Sequence, residues 1–109
     1  MAVSTIKMDN HIPSWEYVGQ VNQIHWSSWE CPDDGIVVYD FDLSTGGGGW
    51  YYYITDTTQN VQIARASGTN ANGTGRTMTF PVIKGHTYKQ SAYRNINGSV
   101  LHFYYYKFV

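Results

Sequence analysis

At 109 residues the chain is one domain's worth of sequence, and a fold of that size buries only a modest core. Its net charge of −1, with 14% charged residues and Lys7, Arg65, Arg76, Lys84, Lys89, Arg94 and Lys107 scattered, offers no cationic patch for nucleic acid. No apolar stretch approaches the roughly 20 residues that cross a bilayer, and the lone Cys31 excludes an intramolecular disulfide and a multi-cysteine zinc site within one chain.

The start, MAVSTIKMDNHIP, lacks a charged head followed by an apolar run, so it does not read as a secretory signal. Residues 1–13 are expected to be an arm or the end of an upstream segment, and residues 14–109 a single domain. Within that domain no window shows an apolar 3.6-residue period. Short alternating runs recur between Gly, Asn, Asp and Pro. They predict strands over Ser14–Val21, Gln23–Glu30, Gly35–Leu43, Trp50–Thr55, Val61–Ala66, Arg76–Ile83, His86–Tyr93 and Ser99–Val109. The connection Pro32-Asp33-Asp34-Gly35 is a tight turn, with proline fixing φ and glycine available for positive φ.

In Gly35–Leu43, one face carries Val37, Tyr39, Phe41 and Leu43, and the other carries Asp40 and Asp42. A slip of one residue would turn the apolar set to solvent, so this pattern fixes register. The glycines of Ser44–Gly49 are expected to form an inter-strand loop. Beyond them, Trp50, Tyr52 and Ile54 are expected on one face, with Tyr51, Tyr53 and Thr55 on the other. Ser67–Gly75 reads as a longer polar loop. In Arg76–Ile83, Met78, Phe80 and Val82 oppose Thr77 and Thr79. Lys84-Gly85 and Asn97-Gly98 read as tight turns. The last segment, SVLHFYYYKFV, is apolar on both faces: Leu101, Phe103, Tyr105 and Val109 on one, Val100, His102, Tyr104, Tyr106 and Phe108 on the other. Such a strand in a small antiparallel fold needs a second partner surface, most simply another copy of the chain. Evenly spaced strands of this kind predict an all-β antiparallel sandwich of the jelly-roll type, with about eight strands.

Catalytic chemistry finds little support. Asp40 and Asp42 share a strand face but have no third group to set them apart, and they read as solvent-facing. His11, His25, His86 and His102 show no metal-ligand spacing, and Cys31 sits in a turn without a base motif. Neither a nucleophile elbow nor a cofactor fingerprint is present. The expectation is a non-enzyme without cofactor or metal. Aromatic residues, 17% of the chain, are the functional candidates, because sugar C–H faces stack on Trp or Tyr. Trp50, Tyr51 and Tyr53 could form such a site, and a neighbouring subunit could equally cover them.

WSSWECPDDGIVVYDF, then FPVIKGHTYK and the closing VLHFYYYKFV, together resemble the small jelly-roll domains that end bacteriophage tail fibres. Similar arrangements occur in the trimeric heads of the tumour-necrosis-factor and complement type. The resemblance spans roughly Trp26 to Val109. It implies a homotrimeric tip on the virion that acts extracellularly, binding a host cell-surface polysaccharide or protein, with no nucleic-acid partner and no membrane insertion. The loop positions Asn70, Asn72, Thr74 and Arg76 and the neighbourhood of Trp50 and Tyr51 are then the expected ligand contacts, followed by Arg94 and Asn95. His102, Tyr104, Tyr106, Phe108 and Tyr53 are the expected subunit interface. Two other readings stay open: a monomeric carbohydrate-binding module or lectin, and a purely structural virion protein.

Overall fold

The structure, a computed structural model, describes residues 14–25, 27–43, 47–70, 74–92 and 100–109, with the backbone path alone at 42–43, 47–50, 69–70, 74–76, 92 and 100–101. Eight strands are present among them: β1 (Trp15–Gln20), β2 (Trp29–Glu30), β3 (Gly35–Leu43), β4 (Gly47–Asp56), β5 (Val61–Asn70), β6 (Thr74–Val82), β7 (Thr87–Ala92) and β8 (Val100–Phe108). A 3-10 turn, Asn22–His25, separates the first two. Sheet A has the order β1-β8-β3-β6 and sheet B the order β2-β7-β4-β5. Every ladder is antiparallel. The pairs β1–β8, β2–β7, β3–β6 and β4–β5 nest as one long double ribbon wrapped into two sheets, which is the jelly roll expected from the sequence.

Alternation decides which side chains fill the space between the sheets. Val37, Tyr39 and Phe41 of β3, Phe80 and Val82 of β6, and Phe103 and Tyr105 of β8 are buried from sheet A. Trp29, Tyr52, Ile54 and Tyr88 answer from sheet B. The core is therefore largely aromatic. Tyr39 stacks on Phe103 at 4.2 Å between centroids, Trp29 meets Tyr105 edge-on at 4.9 Å, and Phe41 meets Tyr52 edge-on at 5.4 Å. Offset and edge contacts of this kind add stability beyond the area they bury.

Tyr39 carries a conflict. Its ring is wholly buried, yet its hydroxyl finds no hydrogen-bond partner among the described residues, and burial pushes its ionisation far upward. An unpaired buried hydroxyl costs about 1–3 kcal/mol of desolvation. Tyr39→Phe keeps the stack on Phe103 and removes that cost. We expect this variant to be at least as stable as the parent in a urea melt, by up to about 1 kcal/mol; a loss of stability would mean that the hydroxyl is satisfied in solution.

Four local expectations change. Gln23–Glu30 is not one strand. It divides into the 3-10 turn and the two-residue β2, because Ser27 bonds back to the Gln23 carbonyl through both its amide and its hydroxyl. Gly47–Gly49 belong to β4 rather than to a loop, and the β4–β5 register shifts between Gly47 and Trp50, an irregularity that glycine accommodates. The expected loop Ser67–Gly75 is mostly strand. Leu43 pairs with Thr74 and Gly47 with Asn70, so extended partners supply ladder bonds that outweigh the weak β-propensity of these polar residues. Gly35 is not needed for positive φ, a conformation that Gly85 adopts in the turn before β7, at 84°. Gly35 is needed because β8 passes close to it. A Cβ there would overlap the Tyr106 carbonyl oxygen and lie 2.8 Å from the Lys107 Cα.

Candidate binding surfaces

Sheet A turns an aromatic face outward. Trp15 and Tyr17 of β1 pair with Phe108 and Tyr106 of β8, and beyond the bulge after Tyr17, Gln20 pairs with Tyr104. Trp15 is 47%, Tyr17 51% and Phe108 45% exposed, although Trp15 and Phe108 already pack against each other, tilted, at 4.4 Å between centroids. Tyr17 also lies 5.2 Å from Tyr106 and 6.5 Å from Tyr104. The neighbouring strands extend the surface in matched rows: Ile36 and Pro81 beside Tyr106, then Val38 and Thr79 beside Tyr104, then Asp40 and Thr77 beside His102. The face thus grades from apolar at the Trp15–Phe108 end to polar at the other. There His102 Nδ1 lies 3.3 Å from Gln20 Oε1, and the Thr77 hydroxyl donates to Asp40 at 3.2 Å.

Four of the five expected interface residues, His102, Tyr104, Tyr106 and Phe108, therefore share one surface. Tyr53 does not. It lies on the outer face of sheet B, across the sandwich from the other four, so the five form two surfaces and not one. Periodicity separates the two faces of a strand but does not say which sheet receives it.

The outer face of sheet B carries half-buried Tyr51, Tyr53 and Thr55, as expected from the burial of Tyr52 and Ile54. Tyr51 and Tyr53 are 5.8 Å apart, and the Arg65 guanidinium carbon lies 4.1 Å from the Tyr51 ring centroid. Nothing in the sequence alone singled out Arg65. Finding it requires the β4–β5 register, which sets it opposite Tyr53.

Of the other expected ligand contacts, Trp50 lies on β4 opposite Gly68, Asn70 ends β5, and Thr74 and Arg76 lie on β6. These are strand positions, although Asn70 and Thr74 do come to strand ends beside Gly47 and Leu43. Asn72, Arg94 and Asn95 lie outside the described residues, as does the arm over 1–13.

Titratable groups elsewhere are tied into the fold. Asp56, at the end of β4, is 2% exposed and accepts a 2.7 Å hydrogen bond from His86 Nδ1. Burial disfavours its ionised form, but hydrogen bonds from His86 and from the Gln59 and Thr58 backbone outweigh that effect and hold its carboxyl below the ordinary range. The pair fastens the β4–β5 turn to the β6–β7 turn. Burial pushes the Cys31 thiol up, and the thiol donates to the Asp33 carbonyl at 2.9 Å. Tyr105 clamps the same residue, donating to its carbonyl at 2.6 Å and accepting its N–H at 3.1 Å. Among the described residues no group of three or more His, Cys, Asp or Glu could hold a metal, and no helix is long and apolar enough to cross a membrane.

Comparison with protein-family models, with curated proteins and with solved structures returned no match.

Proposed function

We propose that the chain is the receptor-binding tip of a phage tail fibre or a related adhesion device, assembled as a homotrimer and working by binding rather than by catalysis. The observation that carries this reading is the outer face of sheet A, where Trp15, Tyr17 and Phe108 stand about half exposed beside Tyr104 and Tyr106. Large aromatics concentrated on one flat face are what subunit interfaces enrich. Their burial against further copies supplies stability that a small core and a lone cysteine do not. Association through sheet A leaves the outer face of sheet B and the strand ends for the receptor. Three weak contacts then act together, with avidity replacing tight single-site affinity.

Light scattering should give about three times the 12.4 kDa chain mass, and the double variant Tyr17→Glu/Phe108→Glu should fall to the single-chain mass. Both positions are exposed, so the monomer stays folded, which a thermal melt checks. On a panel of bacterial cells the parent should be retained and the monomeric variant washed off. A parent that runs as a monomer, or a variant that adheres as well as the parent, would overturn the trimeric tip.

A further inference from the structure

We infer that Arg65, Tyr51, Tyr53 and Lys89, on the outer face of sheet B, form a platform for a carboxylate-bearing glycan. The inference rests on the reading of the chain as a receptor binder and names the chemical class of the receptor.

Tyr51 and Tyr53 stand on the same face of β4, since the residue between them, Tyr52, is buried. Arg65 is exposed on the edge strand β5, with its guanidinium over the Tyr51 ring. A guanidinium stacked on a ring uses its flat face there and leaves its in-plane N–H donors for hydrogen bonding. Those donors match the two oxygens of a carboxylate, a fit that a lysine ammonium does not offer. Across Tyr53 from Arg65, the ladder partner is Ser91, and Lys89 lies two residues along β7, opposite Thr55. Diagonal neighbours in an antiparallel pair are about 7–8 Å apart, within reach of a long side chain. By register, Tyr53 thus has Arg65 directly opposite it on β5 and Lys89 diagonal to it on β7.

The charge balance of the face supports an anion. Among the described residues neither Arg65 nor Lys89 makes an ion pair. The one described carboxylate on this face is Glu30, on the far edge strand β2 opposite Thr87. A pyranose ring presents a C–H face for a tyrosine and hydroxyls for Ser67, Ser91 and Thr55, and a uronic or sialic acid adds the carboxylate that Arg65 is shaped to take. Two cations beside two rings suit one acidic sugar unit; a nucleic-acid backbone requires a longer cationic track.

The test is an NMR titration of the full chain with galacturonate, glucuronate and N-acetylneuraminate oligosaccharides, each against its methyl ester. At least one acid should bind tenfold or more tighter than its ester, shifting the Tyr51 and Tyr53 ring resonances. Arg65→Ala should lose that preference, Arg65→Lys should restore only part of it, and Lys89→Ala should weaken binding less. If every acid binds no better than its ester, or Arg65→Ala binds as the parent does, the inference fails. A trimer that adheres to cells without preferring the acids overturns this inference alone. A monomer that fails to adhere yet binds an acid through Arg65 overturns the trimeric tip and upholds the platform.

Discussion

Gly35→Ala is expected to cost about 3 kcal/mol, a large share of the roughly 5 kcal/mol at the lower end of domain stability. The position opens β3 and sits between two ladders, opposite Lys107 on β8 and Val82 on β6. A single added methyl would overlap the Tyr106 carbonyl oxygen and come within 2.8 Å of the Lys107 Cα and 3.0 Å of the Tyr106 carbonyl carbon. All three are backbone atoms, so no side-chain rotation relieves the overlap. Relief requires β8 to move away from β3, and β8 holds Phe103 and Tyr105 in the core. The same shift would strain the turn before β3, where Tyr105 grips Asp33 and the Asp34 carboxylate accepts the Lys84 N–H at 2.8 Å. A urea or thermal melt followed by tryptophan fluorescence reads the effect. A near-parental midpoint would mean that β8 lies farther from Gly35 than the register implies.

Asp56→Ala should cost about 2–3 kcal/mol at neutral pH and, unlike Gly35→Ala, should show a characteristic pH dependence. The substitution leaves His86 and the Gln59 N–H without the carboxylate that accepts from them. In the folded chain that carboxyl ionises below its ordinary range, whereas in the unfolded chain it takes up a proton near pH 3.9. The stability it contributes is therefore complete above about pH 4 and is lost as the pH falls through the folded-state value. The stability difference between parent and variant should shrink as the pH falls below about 4. The remaining carboxylates titrate in both proteins and cancel. A difference that stays constant down to pH 2.5 would show that Asp56 acts by shape and not by charge.

What the sequence revealed, and what it hid, follows from the range of the forces involved. β3 and β6 were legible because Val37, Tyr39, Phe41, Phe80 and Val82 alternate with polar or half-exposed neighbours, and period-two burial is written locally. The glycines at the start of β4 and the polar end of β5 were not, since those residues are extended by their ladder partners and carry little β-propensity of their own. The Asp56–His86 pair joins residues 30 positions apart and leaves no local pattern. The two outward aromatic sets look alike in the sequence. Only the strand order assigns Tyr104 and Tyr106 to sheet A and Tyr51 and Tyr53 to sheet B. Arg65 acquires its meaning from that assignment too, because an exposed arginine is ordinary until a tyrosine ring lies 4.1 Å beneath it.

The position of β8 between β1 and β3 has a further consequence during synthesis. The ribosome delivers this strand last of the eight, yet it is an inner strand of sheet A, holding β1 to the rest. Until it emerges, the nascent chain can close the β3–β6 and β4–β5 pairs but must carry Tyr39 without Phe103 and Trp29 without Tyr105. Such a chain presents bare aromatic surface to its neighbours on the same polysome. For the trimer proposed above, copies made side by side would meet while still unfinished, so the order of translation would favour early encounters between the chains to be assembled.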